Sequence, residues 1–280
     1  MSFDISRFRH GKEKFYGTLT LVIGILIWVA VLSIPVIALM DGETHVALVF
    51  LLYFGAFWLF SFIVRALTRA YMFGHFVMVG PKQFPHLHQM VVEGAQRVRL
   101  KEVPATFVYN SNGVMNAMAL RLVGRSRYVW LTSALIDCDD DDQVRFVVGH
   151  ELGHHVAGHL DEPWSYLRLP ALFIPFLGPA YSRARELTCD RIGGFTAQNL
   201  PAARSALQML ACGSAKLNAQ MNPDAFQEQE RMVPGIAGFV LNAFSGYPRL
   251  TRRVEAVTQF YGSARRGAGD AALLGVPRVA

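Results

Sequence analysis

Cysteine is scarce in this sequence, and its three copies, Cys138, Cys189 and Cys212, follow no paired spacing. An odd number without CxxC excludes a disulfide framework and a cysteine-built zinc site, and suits small buried thiols in a reducing compartment. Charge is scarce as well. Charged residues make up 17% against 52% hydrophobic, and the mean hydropathy is +0.27. That balance is too apolar for an ordinary soluble domain and calls for membrane segments. The charge that is present leans positive, +6 in formal terms. No nucleic-acid-binding module accompanies it, so the expected partner is an anionic lipid bilayer rather than nucleic acid.

Two stretches lack formal charge altogether: Gly17 to Met40, 24 residues, and Val46 to Val64, 19 residues. About 20 apolar residues cross a bilayer core, so the pair predicts a transmembrane helical hairpin. The first run is too long for a removable signal peptide and has no small-residue cleavage site. Pro35 can kink such a helix without excluding it. Arg7, Arg9, Lys12 and Lys14 precede the first run, and Arg65 and Arg69 follow the second. The linker Asp41–His45 carries only acids and a histidine, so the positive-inside rule places both ends in the cytoplasm.

Beyond the hairpin, apolar residues from Phe84 to Val98 recur at helical spacing, and Pro81 suits the first turn. His86 and His88 are two apart and read as surface residues. After Pro104 the pattern turns β-prone at 106–109, 114–122 and 127–132, with a turn signal at Asn110–Gly113. A small antiparallel sheet is expected. Its stretch Asn116-Ala117-Met118-Ala119 has small and polar residues where a core strand would prefer bulk, which fits an edge open to a peptide strand. Five carboxylates within 137–142 precede the next helix. They lack the glycine and glutamate of a calcium loop and read as helix caps.

That next helix contains His150-Glu151-Leu152-Gly153-His154. Residues four apart share a helix face, so His150 and His154 can hold one metal ion while Glu151 reaches a water beside it. Two imidazoles and a carboxylate base are the parts of a zinc hydrolase. A third protein ligand is still required. His155 points about 140° away from His150, at 100° per residue, and reads as a supporting or surface group. Gly158 and His159 are out of register for a third histidine. Downstream, Glu186 and Asp190 are again four apart. Glu186 is the expected third ligand, and Asp190 the acid that orients a ligand histidine. A self-neutralising charged helix is the bland alternative.

These pieces together resemble the HtpX-like membrane zinc metallopeptidases, relatives of the CAAX prenyl endopeptidases. The resemblance covers about residues 100 to 255. It is carried by Asn116–Ala119, the HELGH segment at 150–154, the block Ser182-Arg183 to Asp190-Arg191, and Tyr247-Pro248 followed by Arg253. It implies an α+β zincin domain of the glutamate-ligand type, one Zn2+ held by His150, His154 and Glu186, and Glu151 as base. It also implies that Asn116, Ala117, Met118 and Ala119 hold substrate backbone. The family often has His-Pro where this chain has Tyr247-Pro248, so Tyr247 or Arg253 is expected to steady the oxyanion.

The expected organisation is a basic cytoplasmic tail (1–16), two membrane helices (17–64), a zinc metallopeptidase domain (65–260) and a flexible tail (261–280). Leu169–Tyr181, with three prolines, is too short and broken to span, and reads as a cleft wall or membrane-touching loop, as does the apolar stretch 233–244. The expected function is endoproteolysis of membrane or misfolded proteins at the cytoplasmic face of a bacterial inner membrane, a form of protein quality control. The alternatives are a prenyl-peptide processing protease and a non-catalytic membrane-tethered zinc protein.

Overall fold

The computed structural model describes residues 3–124 and 126–266. It opens with a turn of helix, α1 (Ile5–Phe8), and two long helices, α2 (Gly11–Met40) and α3 (Thr44–His75). At 30 and 32 residues each extends about 45 Å or more, at 1.5 Å per residue. Both are long and apolar enough to cross a membrane, and almost none of either apolar stretch is buried within the protein. Each helix outlasts the uncharged run expected from sequence. Lys, Glu and Arg are good helix formers, so a charged flank marks where lipid would end and not where the helix does. The expected domain boundary at residue 65 therefore falls inside α3.

The chain continues through β1 (Val77–Met78), α4 (Pro85–Arg97), β2 (Ala105–Tyr109), β3 (Ala117–Arg121) and β4 (Arg127–Thr132). Helix α4 starts at Pro85, not at Pro81, because Phe84 sits in a left-handed backbone conformation that the helix cannot include. The sheet corrects a second expectation: it is mixed, not antiparallel. Strand order is β1-β2-β4-β3, with β4 antiparallel to β3 but parallel to β2. The turn signal at 110–113 does not close a hairpin, since β4 inserts between the two strands that flank it. Alternation identifies strands but not their neighbours. Strands β2 and β4 bury both faces. Val108, Val129 and Leu131 join the main core, while Phe107 and Tyr128 meet Met72 of α3 on the reverse side.

The remainder is helical: α5 (Ser133–Cys138), α6 (Asp141–Val156), α7 (Trp164–Leu172), α8 (Leu177–Ala197), α9 (Leu200–Cys212), α10 (Ala215–Asn218), α11 (Pro223–Glu228), a 3-10 turn (Gln229–Met232), α12 (Gly235–Phe244) and α13 (Leu250–Arg266). Asp140 caps α6 through a reciprocal box with Gln143, as the acidic run suggests. The main core lies between the sheet with α4 on one side and α8, α9 and α13 on the other, with α6 through its middle. Phe146 and Leu152 of α6 are essentially inaccessible and contribute roughly 2 kcal/mol each by burial.

The proline-rich stretch 169–181 is not a loop. It forms the end of α7 and the start of α8. Helix α7 lies against α2 so closely that a Cβ on Gly24 would stand 2.1 Å from the Leu167 carbonyl oxygen. The Trp28 indole N–H donates to the Tyr166 carbonyl at 2.9 Å. The expected flexible tail is corrected in part, since α13 runs to Arg266; residues 267–280 of that tail lie outside the described residues.

Candidate active site

The site forms where α6 crosses α8. The crossing is close because α6 offers no side chain at Gly149: a Cβ there would lie 1.6 Å from the Thr196 hydroxyl oxygen. This approach brings the inward groups of both helices into one buried cluster. His150 Nε2 lies 3.3 Å from one oxygen of Glu186, and His154 Nε2 lies 3.5 Å from the other. The far side of the first imidazole is fixed, as its Nδ1 donates to Asp190 at 2.9 Å. Asp190 accepts two further bonds from Arg253, Nε at 2.9 Å and Nη2 at 2.6 Å. A line of groups, Arg253–Asp190–His150, thus ends on an Nε2 turned toward Glu186.

The second imidazole is held in a way the sequence does not suggest. His154 Nδ1 lies 3.1 Å from His159 Nδ1, and His159 Nε2 lies 3.1 Å from a carboxylate oxygen of Glu13. Glu13 belongs to the first turn of α2 and is buried, bonded also to Thr188 and Arg9. One assignment of protons satisfies the whole line. His154 donates from Nδ1, and His159 accepts at Nδ1 and donates from Nε2 to Glu13. His154 Nε2 is left with a free lone pair. Burial lowers the basicity of His159 despite Glu13, which agrees with a neutral ring in that role. His155 is neither surface-exposed nor part of the cluster; it is buried and bonds the Tyr128 carbonyl of β4 at 3.0 Å.

The electrostatics favour a cation between these groups. Burial lowers the basicity of His150, but Asp190 and Glu186 outweigh it and raise the imidazole to about 10. Burial raises Glu186, and His150 and His154 outweigh that, holding it at about 2. Asp190 is likewise held at about 2, with Arg253 overcoming burial. Glu151 behaves differently. Burial pushes it up to about 7, and the Ala119 backbone N–H is among its hydrogen-bond donors.

Two nitrogen donors and one carboxylate fit a zinc ion in chemistry and number. A second set is also present, since donor atoms of His150, His154 and Cys189 lie within 4.8 Å of one another. Glu186 is the better third donor. Its two oxygens touch both Nε2 atoms, whereas the Cys189 sulfur packs against Gly153 and lies 3.7 Å from His159 Nδ1. Burial also pushes the Cys189 thiol well up, against the thiolate a metal needs.

A cavity of about 240 Å³ opens over this cluster, lined by Asn116–Ala119, Glu151, Tyr247 and Arg253 among others. Among the described residues, strand β3 is an edge, paired only with β4. Two of its amides already have local acceptors: Ala117 N–H donates to the Asn116 side chain at 2.9 Å, and Ala119 N–H to Glu151. Tyr247 is 67% exposed at the rim. Arg253 is buried behind His150 with its guanidinium committed to Asp190. All eleven residues singled out in the sequence thus line this cavity or touch a residue that does. Glu13, His159 and Gly149 are additions. Only Gly149, one residue before the HExxH segment, had a local signal, since a glycine inside a helix implies close packing.

Residues 81–175 match peptidase family M48, a segment that includes the HELGH residues but ends before Glu186. The chain is similar to plastoglobule-localized metallopeptidase 48, chloroplastic, of Arabidopsis thaliana, at 32% identity over 173 residues, 56% of this chain and 49% of that protein. It is also similar to a protease HtpX homolog of Pyrobaculum calidifontis, at 27% identity over 153 residues, 52% of this chain and 41% of that protein. The matches thus span about half the length of these curated relatives or less. No solved structure matches the chain.

Proposed function

With a peptidase family M48 segment at residues 81–175 and its likeness to HtpX-like metallopeptidases as premise, we propose that the chain is a membrane-anchored zinc endopeptidase. It hydrolyses peptide bonds of membrane or misfolded proteins at the cytoplasmic face. The observation that carries this reading is the convergence of His150 Nε2 and His154 Nε2 on the two oxygens of Glu186, at 3.3 and 3.5 Å, with Glu151 alongside. His150, His154 and Glu186 would hold the zinc. Bound there, zinc would polarise the scissile carbonyl and make a water molecule more acidic.

The chain's own residues do the rest. Glu151, whose burial raises its basicity above that of an ordinary carboxylate, takes a proton from the attacking water and delivers it to the leaving amine. An extended peptide lies along β3, where Asn116–Ala119 offer backbone groups. To pair there it takes over the Ala119 N–H that Glu151 accepts from in its absence. Tyr247, exposed at the rim, donates its phenol O–H to the developing oxyanion. Arg253 acts through Asp190, holding His150 Nδ1–H, and His159 with Glu13 does the same for His154. Second partners of this kind fix ligand orientation.

Glu151→Gln in the full-length protein tests the assignment. We predict that zinc content stays at the wild-type level while cleavage of an unfolded protein substrate falls by about 10²–10⁴. Undiminished cleavage would remove Glu151 from the mechanism. A prenylated peptide assayed beside the unfolded substrate separates general endoproteolysis from prenyl-peptide processing. Cysteine labelling within the 41–45 linker reports topology, and labelling from the cytoplasmic side alone would reverse the proposed orientation.

A further inference from the structure

Lys12 and Tyr16 stand in the first turns of α2, just before the uncharged run that opens at Gly17. They line a second cavity, of about 780 Å³, between the start of α2 and helices α8, α12 and α13. Its polar wall is basic: Lys12, Arg183 and Arg252 face it with one carboxylate, Glu255. Arg183 donates to the Ser245 carbonyl at 2.5 Å. Neither Lys12 nor Arg252 forms an ion pair among the described residues. Glu230, whose carboxylate feels the Arg252 charge, is already engaged by Arg249 and Thr251. Burial pushes the Arg183 guanidinium down, and the nearby Arg252 charge adds to that against an opposing contribution from Tyr16.

The opposite wall is apolar, with Phe176, Leu177 and Phe239. It continues onto α12, where Ile236, Leu241 and Phe244 are exposed, and Phe244 meets Phe176 at 4.8 Å between ring centroids. A contiguous exposed apolar patch of this kind marks an interaction surface.

We propose that this cavity binds the headgroup phosphate of an anionic phospholipid, whose acyl chains lie along α12 toward the bilayer. The excess of cations matches a phosphate. The apolar continuation matches acyl chains, which neither free phosphate nor an acidic peptide would need. The position, at the charged edge of α2, is the level of the headgroups when that helix spans the membrane. The volume falls within the usual range for small-molecule sites, about 300–1,000 Å³. Binding here needs neither the metal nor peptide cleavage, so it stands or falls independently of the endopeptidase reading.

The full-length protein in detergent, wild type beside a Lys12→Gln/Arg252→Gln double variant, is titrated with short-chain phosphatidylglycerol, short-chain phosphatidylcholine and inorganic phosphate. The wild type is expected to prefer phosphatidylglycerol to phosphatidylcholine by about tenfold or more, and the double variant to lose about tenfold in phosphatidylglycerol affinity. Its melting temperature and peptide cleavage should match wild type. Equal affinity for the two lipids, or full phosphatidylglycerol affinity in the double variant, overturns the proposal. Competition by inorganic phosphate as strong as by the lipid assigns the site to free phosphate and overturns it too. If the double variant melts early, a charge-keeping Lys12→Arg/Arg252→Lys pair must retain phosphatidylglycerol binding and Arg252→Glu must lose it; either failure rejects the site.

Discussion

Each of the two histidines at this centre is held from behind by a different acid, one from α8 and one from α2. Asp190→Asn keeps the shape of the side chain but weakens its bonds to His150 and Arg253. We predict about a 10- to 100-fold loss of zinc affinity, measured by chelator competition. Glu13→Gln should weaken zinc binding in the same assay through His159, although residue 13 touches no ligand. Wild-type affinity in Glu13→Gln would show that the line from α2 is only structural. A further residue-scale test concerns Asp139, pushed up to about 7 by burial and by Asp140. Its carboxyl holds a proton more tightly folded than unfolded, so its contribution to stability falls as pH rises from about 4 through about 7. Asp139→Asn should leave melting near pH 4 almost unchanged and stabilise the fold near pH 8 by about 1–2 kcal/mol. An equal shift at both values would rule this out. The pairs His150/His154 and Glu186/Asp190 were legible because four-residue spacing fixes a common helix face. The link from Glu13 to His159 was not, because 146 residues separate them and periodicity says nothing about distance through the fold.

Between elements, the α6–α8 crossing decides whether there is a site at all. Gly149→Ala places a methyl group against Thr196 and must push the helices apart. It should cost about 1–3 kcal/mol and reduce both zinc affinity and cleavage. Adding Thr196→Gly, which removes the opposing side chain, should restore part of each. If Gly149→Ala alone binds zinc normally, the crossing is more yielding than its contacts indicate. At this scale the sequence was a partial guide. The length of the uncharged runs marked the two long helices, hydrophobic period marked α4 and the strand segments, and composition marked β3 as an edge. It could not give the sheet order, because β4 carries apolar residues on both faces and would suit any interior position. Nor could it give α7, where prolines at 170, 175 and 179 suggested a broken loop. Pro175 and Pro179 flank the start of α8, where a missing N–H is least harmful, whereas Pro170 sits within α7 and leaves the Tyr166 carbonyl to accept from the Trp28 indole.

At the scale of the whole molecule, α2 and α3 are parts of the domain they precede. The first packs along α7 and α8, and the second ends against the back of the sheet through Met72 and Phe76. Glu13, wired to His154 through His159, lies four residues before the uncharged run, about 6 Å along the axis at 1.5 Å per residue. With the hairpin spanning a bilayer, as proposed, it would work as a ruler and not as a leash. A flexible tether would let the cleft sweep a wide volume, whereas this arrangement would hold it at one height above the lipid. Peptide bonds within reach would then be those emerging close to the bilayer surface. A set of substrates carrying one cleavage sequence at increasing distance from their own membrane span should be cut efficiently only at the shortest spacings. Uniform cutting across the set would mean that the cleft moves freely. Held at fixed height, the enzyme would choose its targets by where a chain leaves the membrane before it reads any side chain.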